Sequence, residues 1–184
     1  MSTARNSRSP QPPVILVVLG VSGSGKTTVG SLLAERLGLP FVDADEFHTP
    51  QGREQMAAGR ALTDADRWPW LARIEQWMDE QIRSGTSAVV ACSALKRSYR
   101  DHLRAGRPQV RLVYLYGSRE LIAARLAGRA GHFFPALLLE SQFREFEEPA
   151  ADEQAYVVPL ADRPEQTVAI ALNVLEPVVR PSSE

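Results

Sequence analysis

An apolar run followed directly by a glycine-rich loop constrains this chain more than any other feature. Residues 14–19 read VILVVL, which is typical of a buried strand, and residues 20–27 read GVSGSGKT. This sequence matches Gly-x-x-x-x-Gly-Lys-Ser/Thr, in which glycines permit tight turns and backbone amides surround an anion at the start of a helix. The pattern therefore predicts a strand, a phosphate-binding loop and a helix that begins at Lys26.

The residue types of this loop indicate a nucleoside triphosphate as the ligand. The amides and the helix N-terminus suit the α and β phosphates, while Lys26 neutralises charge on the β and γ oxygens. The Thr27 hydroxyl then remains to ligate Mg²⁺. A glycine-rich turn with an accidental lysine is the alternative. The loop residues predicted to bind the triphosphate are Gly20, Val21, Ser22, Gly23, Ser24, Gly25, Lys26, Thr27 and Thr28.

Composition narrows the class of protein. A chain of 184 residues with 44% hydrophobic residues fits one soluble domain, which at this size buries about 70% of its unfolded surface. The net charge of −1 argues against a broad basic face for nucleic acid or an anionic membrane. The only cysteine, Cys92, excludes an intrachain disulfide and a multi-thiolate zinc site, and fits a reducing compartment.

The chain reads as one folding unit with two tails. Residues 1–13 contain arginines but no apolar core, so they predict a disordered leader, and 177–184 predict a loose C-terminal tail. Between them, residues 14–176 alternate short apolar runs with longer amphipathic segments, which is typical of parallel βαβ units. Right-handed crossovers then give a three-layer α/β/α fold around a five-stranded parallel sheet, with ligands at the carboxyl ends of the strands. The later strands are predicted at residues 40–42, 87–91, 110–116 and 155–158.

Two aspartates follow the second predicted strand. Because Asp43 and Asp45 alternate at a strand end, both can project towards the transferred phosphate. We expect Asp45 to accept the proton of an acceptor hydroxyl and Asp43 to hold Mg²⁺ through water, together with Thr27. The alternative is that both carboxylates cap the next helix, as aspartate often does.

Two absences from the sequence disfavour hydrolytic nucleotide enzymes. Residues 89–93 read VVACS, without the Asp-Glu pair that motors use to hold metal and activate water. Neither of the two asparagines, Asn6 and Asn173, begins an Asn-Lys-x-Asp guanine-reading sequence. Water attack and a Ras-type GTPase are therefore both disfavoured.

Basic residues beyond the third and fourth strands predict contacts with anions. Lys96 and Arg100 come just past the third strand, where they can meet a carboxylate or phosphate of the substrate. Arg125 and Arg129 share a helix face at i and i+4, which suggests an anion between them, and we expect both to bind ATP. A lid at about residues 128–150 would exclude water, and Arg125 would stabilise the migrating phosphoryl group. A solvated, charged helix face is the alternative for both groups.

Five motifs occur together along residues 14–152. They are the phosphate loop at 20–26, Asp-x-Asp-x-x-His at 43–48, LTDADRWPWL at 62–71, CSALKRSYRD at 92–101, and GHFF at 131–134 with SQF at 141–143. This combination resembles the gluconokinase family. The resemblance implies a cytoplasmic homodimer of P-loop kinase fold, in the shikimate-kinase-like and nucleoside-monophosphate-kinase-like group. It also implies ATP-dependent transfer to the 6-hydroxyl of D-gluconate, giving 6-phosphogluconate and ADP.

The resemblance further implies roles for residues outside the loop. Asp45 and His48 would face the acceptor, whereas Arg125 and Arg129 would belong to the lid. His132 is an additional candidate contact, for which a packed, hydrogen-bonded histidine is an equal alternative. The full set implied to bind the substrate is Asp45, His48, Arg53, Arg67, Lys96, Arg100, His132 and Gln142.

Three positions depart from what the family commonly has. Ala44 stands in place of glycine, Gly52 in place of asparagine and Gln55 in place of lysine. We expect these changes to leave phosphoryl transfer intact. The affinity for gluconate, and the preference for gluconate over a similar sugar acid, should depend on them. Two other functions are open at this level: a kinase for another small hydroxy acid such as shikimate, and a non-catalytic regulator that binds ATP.

Overall fold

Five parallel strands form the centre of the fold in the computed structural model, which describes residues 12–127 and 136–179. The strands are β1 (Ile15–Leu19), β2 (Phe41–Asp43), β3 (Ala88–Ala91), β4 (Val110–Tyr116) and β5 (Tyr156–Pro159). The helices are α1 (Lys26–Leu37), α2 (Pro50–Ala57), α3 (Asp64–Arg83), α4 (Arg97–Arg104), α5 (Arg119–Ala127), α6 (Ala136–Glu145) and α7 (Pro164–Val179). Two short 3-10 turns lie at Ala44–Phe47 and Ala151–Glu153.

The sheet order places the phosphate loop at the middle of one edge. The strands run in the order β2-β3-β1-β4-β5, and Val17 of β1 aligns with Val90 of β3 and Leu112 of β4. Every residue of β1 is buried, because helices cover both faces of this central strand. The loop that follows β1 therefore emerges between neighbouring strands, where ligands of open parallel sheets bind.

Alternate residues of β1 supply two separate cores. Ile15, Val17 and Leu19 face one layer of helices, whereas Leu16 and Val18 face the other. The first core is completed mainly by side chains of α3 and α4, which include Leu71, Ile74, Met78, Tyr99 and Leu103. The second is completed mainly by α1 and α7, through Val29, Leu33, Val168, Ala171 and Leu175. The predicted three-layer α/β/α architecture is confirmed.

The chain ends differ in part from the predicted boundaries. Helix α7 continues to Val179, which packs against the second core, so residues 177–179 belong to a helix and not to a loose tail. Most of the predicted leader, residues 1–11, and the rest of the tail, 180–184, lie outside the described residues, as do 128–135 of the predicted lid. No helix within the described ranges combines the length and apolarity needed to cross a bilayer.

Cys92 lies in the first core, at the carboxyl end of β3. Its side chain is 1% exposed, and burial raises the pKa of the thiol to about 12. Cys92 is therefore a protonated, packed side chain rather than a nucleophile.

Candidate active site

The phosphate loop has the backbone conformation that the sequence pattern requires. Gly23 and Gly25 have φ values of 83° and 86°, in the left-handed region that favours glycine. A Cβ on Gly23 would also lie 2.5 Å from Cγ of Leu126, so α5 packs directly against the loop. Gly25 precedes α1 and offers no side chain to cap it. The first amides of α1 are thus available to an anion.

Thr27 joins the loop to the end of β2. Its hydroxyl donates a hydrogen bond of 2.5 Å to Oδ2 of Asp43, while Oδ1 of Asp43 accepts from the Asp45 amide at 3.0 Å. Asp43 therefore caps the 3-10 turn and contacts the predicted metal ligand Thr27 at the same time. Helix capping, considered for both aspartates, is observed for Asp43.

Asp45 presents its carboxylate to solvent beside the phosphate loop. Its side chain is 79% exposed, and Oδ1 lies 3.6 Å from Nε2 of His48. The pKa of Asp45 is lowered by the His48 imidazole and, to a smaller extent, by the charge of Lys26, which together outweigh desolvation. Asp45 is therefore ionised at neutral pH and able to accept a proton.

The aromatic side chains of His48 and Trp70 hold the 3-10 turn that carries Asp45 in place. The His48 ring stacks on Trp70, with centroids 4.6 Å apart and planes 7° from parallel. Nε1 of Trp70 donates to the Ala44 carbonyl at 2.7 Å, and Ala44 itself is fully buried. Gly52 lies next to the histidine, where an added Cβ would be 3.9 Å from Nδ1. Ala44 and Gly52, two of the departures from the family, thus lie around His48.

A cavity of about 480 Å³ extends from the phosphate loop across Asp45. Part of its wall is the segment from Met56 to Leu62, which connects α2 to α3. Its polar and charged lining includes Ser22, Lys26, Asp45, His48, Arg60 and Arg67. One solvent-open cavity therefore contains phosphate-binding groups, an ionised carboxylate and cations.

Arg67 links this cavity to α6, which lies within the predicted lid segment. Its Nη1 donates to Oε2 of Glu145 at 2.7 Å and to the Tyr99 hydroxyl at 3.2 Å. The Tyr99 hydroxyl in turn donates to Asp64, which also accepts from Lys96 at 2.7 Å. A continuous chain of polar contacts therefore runs from α6 through the cavity wall to the start of α4.

Gln142 contacts the phosphate loop itself. Its Oε1 accepts a hydrogen bond of 2.7 Å from the Ser22 amide, and its side chain lines the cavity. The Lys26 ammonium also remains within the loop, where it donates to the Val21 carbonyl at 3.1 Å. Helix α6 thus covers the loop in this conformation.

Three predicted substrate residues lie outside the cavity lining. Arg53 is exposed and donates to the Glu46 carbonyl at 2.9 Å and the His48 carbonyl at 3.2 Å, so it braces the turn that carries Asp45. Lys96 is bound to Asp64. Arg100 is completely buried, and its guanidinium forms two hydrogen bonds of 2.6 and 2.8 Å with Glu153. These partners, rather than a substrate, satisfy Lys96 and Arg100 here.

The predicted lid arginines are placed only in part. Arg125 is half-buried on α5 and donates to the Ala161 carbonyl. It does not line the cavity that contains Asp45. Arg129 and His132 lie outside the described residues.

Sequence reasoning missed several residues that line the cavity, notably Arg60, Trp70, Ser93 and Tyr99. Trp70 and Tyr99 lie inside segments on which the family resemblance rests, but the sequence pattern did not indicate that these two side chains line a cavity. Arg60 belongs to no motif. Its place in the cavity follows from the way the chain turns between α2 and α3.

Comparison with known proteins supports the kinase character of this site. Residues 22–169 match the family model described as shikimate kinase. The chain is 50% identical over 141 residues to the gluconokinase of Gluconobacter oxydans (strain 621H), covering 77% of this chain and 79% of that protein. A crystal structure of a gluconokinase from Sinorhizobium meliloti 1021 aligns with a TM-score of 0.82 at 42% identity, covering 92% of this chain and 95% of that one. An unliganded sugar kinase from Janibacter sp. HTCC2649 aligns with a TM-score of 0.84 at 44% identity, covering 94% and 100%.

Proposed function

This chain is a P-loop kinase that belongs to the gluconokinases, within the shikimate kinase family, and we propose that it phosphorylates D-gluconate at the 6-hydroxyl with ATP. The products are 6-phospho-D-gluconate and ADP. The single observation that carries this proposal is that Asp45 and Lys26 line the same cavity. Many nucleotide enzymes share a phosphate loop, but an ionised carboxylate beside it is what an alcohol acceptor requires.

Asp45 is the proposed general base of the transfer. The acceptor oxygen forms a bond to the γ phosphorus as the bond from that phosphorus to the β–γ bridging oxygen breaks, and the proton of the hydroxyl goes to Asp45. His48 keeps the Asp45 carboxylate in its proton-accepting, ionised form, because its imidazole lowers the pKa of Asp45. Lys26 and the amides of the phosphate loop stabilise the negative charge on the phosphoryl oxygens.

The residues present fit a magnesium ion, which ATP-dependent transfer commonly uses. The Thr27 hydroxyl and the Asp43 carboxylate are adjacent oxygen donors, the kind of ligand that Mg²⁺ prefers. Among the described residues no cluster of three His, Cys, Asp or Glu side chains is placed to hold a metal. When bound, Mg²⁺ would neutralise phosphate charge, with Thr27 as a direct ligand and Asp43 acting through water.

The lid residues have proposed roles that require movement. Gln142 would bind substrate after leaving the Ser22 amide, which a phosphate oxygen would then occupy. Arg125, with Arg129, would stabilise the migrating phosphoryl group, so its guanidinium must leave the Ala161 carbonyl. Arg67 would bind the sugar acid from the cavity wall.

Location and assembly rest on the family resemblance. We propose a cytoplasmic homodimer that acts on a small molecule, without nucleic acid or membrane as a partner. The near-neutral net charge of −1 supports the last two points. Light scattering coupled to gel filtration tests the dimer, because a dimer has twice the mass of the 20.3 kDa chain.

Substrate-dependent ADP release tests the proposed activity. Purified protein with Mg-ATP is mixed separately with gluconate, shikimate and a panel of other sugar acids. We expect gluconate to give the largest stimulation over ATP alone. Equal stimulation by every acid would remove the assignment to gluconate, and tight ATP binding without phosphorylated product from any acid would favour a regulator.

A further inference from the structure

The lysine and arginine side chains that line the cavity differ in their existing partners. In the described part of the chain they are Lys26, Arg60 and Arg67. Lys26 belongs to the phosphate loop, where its charge is needed by the nucleotide. Arg67 forms an ion pair with Glu145 at 2.7 Å, so its charge is already neutralised.

Arg60 has no such partner. Its side chain is exposed in the cavity wall and forms neither a hydrogen bond nor an ion pair with another described residue. The other cations predicted for the substrate are held elsewhere, Arg53 by two backbone carbonyls, Lys96 by Asp64 and Arg100 by Glu153. Arg60 is therefore the arginine of this cavity that remains available to an anion.

The backbone at Arg60 is nevertheless well fixed. Helix α2 ends with Gly59 in the left-handed conformation, at φ 71°. The Gly59 amide donates to the Met56 carbonyl at 3.0 Å, and the Arg60 amide donates to the Gln55 carbonyl at 2.9 Å. This pair of bonds is a Schellman motif, which determines where the chain leaves the helix. Arg60 thus carries an exposed guanidinium, unpaired among the described residues, on a backbone fixed by hydrogen bonds.

The proposed substrate needs a cation at this kind of position. Gluconate carries its carboxylate at the opposite end of a linear chain from the 6-hydroxyl. With that hydroxyl beside Asp45 and the phosphates, the carboxylate must be bound by a separate positive group, since Asp45 and the nucleotide repel it. A guanidinium matches a carboxylate in both charge and geometry.

We propose that Arg60 binds the carboxylate of the sugar acid and so selects acids over neutral polyols. This inference rests on the proposed function. It assigns a substrate-binding and specificity-determining role to a residue outside every motif of the chain. Arg67, paired with Glu145, then contacts the sugar acid from the cavity wall without supplying the net charge that the carboxylate requires.

The test compares Arg60→Gln, Arg60→Lys and a control, Arg83→Gln. Arg83 is exposed at the end of α3 remote from the cavity, so its replacement leaves the site unchanged. For Arg60→Gln we expect KM for gluconate to rise about tenfold, as for loss of a charge-assisted hydrogen bond in a partly solvated site. We expect kcat and KM for ATP to stay within about twofold, and Arg60→Lys to recover part of the loss, because lysine keeps the charge but not the planar fork.

A neutral analogue separates this role from a structural one. Gluconamide keeps the polyol chain but lacks the charge, so its competitive inhibition constant should be the same for wild type and Arg60→Gln. An unchanged KM for gluconate in Arg60→Gln, or an equal weakening of gluconamide, would overturn the inference and leave the proposed function intact. If the wild type does not phosphorylate gluconate, the proposed function fails and this inference fails with it.

Discussion

The phosphate loop and the acid-binding side of the cavity are built by different means. The loop takes its form from about eight consecutive residues, whose glycine conformations and helix start follow from local sequence. The opposite side depends on partners far apart in the chain, such as Arg67 with Glu145 and Tyr99 with Asp64. The phosphate loop is therefore built locally, whereas the opposite wall of the cavity depends on tertiary contacts.

Replacement of Asp45 should cause the largest loss of kcat. It should also separate the two regions, because catalysis is lost while nucleotide binding is kept. In Asp45→Asn we expect kcat to fall about 10²- to 10⁴-fold, because a general base is lost. ATP affinity should change little, since the loop amides and Lys26 are intact. Steady-state kinetics and ATP titration measure the two quantities. Asp79→Asn is the matched control, because Asp79, on α3, pairs with Arg107 and does not line the cavity. A near-normal kcat in Asp45→Asn would contradict its catalytic role.

Arg100 tests whether a cation near the site acts through stability. Arg100→Met should lower the free energy of unfolding by about 3–5 kcal/mol, because it leaves the buried Glu153 carboxylate unpaired. The double variant Arg100→Met/Glu153→Leu should recover much of this loss, since no buried charge remains. Urea denaturation measures both. A large rise in KM for gluconate with unchanged stability would instead restore Arg100 to the substrate site.

The Arg67–Glu145 pair tests whether the wall opposite the phosphate loop depends on tertiary contacts. If it does, the effects of replacing the two residues on kcat/KM should not be additive. Arg67→Gln should lower kcat/KM for gluconate roughly 30-fold, because Glu145 then places an uncompensated negative charge near an anionic substrate. Adding Glu145→Gln should restore part of the loss, giving a coupling of about 1 kcal/mol or more in a double-mutant cycle. Additive effects would show that Arg67 acts independently of helix α6.

The pH dependence should show the smallest change. The folded pKa of Asp45 lies below its usual value, so the active, ionised form is lost only as pH falls through that lowered pKa. His48→Phe keeps an aromatic ring against Trp70 but removes the main cause of the lowered pKa. The acidic limb of kcat/KM should then move to higher pH. An unmoved limb would show that His48 does not tune Asp45.

The same local and tertiary distinction explains what the sequence could predict. The five parallel strands and the phosphate loop were predictable, because buried apolar runs and a spaced glycine motif are local signals. Asp43 was predictable in part, since a residue at a strand end can cap a turn and also reach Thr27. Capping the turn and reaching the predicted metal ligand are compatible roles for Asp43, because each uses a different oxygen of the carboxylate.

The acid-binding side was less predictable for a physical reason. Lys96 and Arg100 lie at the expected strand edge, but their partners Asp64 and Glu153 are 32 and 53 residues away in sequence. Charge spacing alone cannot show which cation is already neutralised. Arg60 was missed because its availability follows from the turn after α2 and from the pairing of its neighbours.

A crystal structure with gluconate and a nonhydrolysable ATP analogue tests the central claim most directly. We expect the Asp45 carboxylate to lie within about 2.6–3.2 Å of the gluconate 6-hydroxyl, the reach of a general base, with that hydroxyl in line with the γ phosphorus. An Asp45 side chain turned away from the acceptor in the closed, fully liganded state would contradict the account.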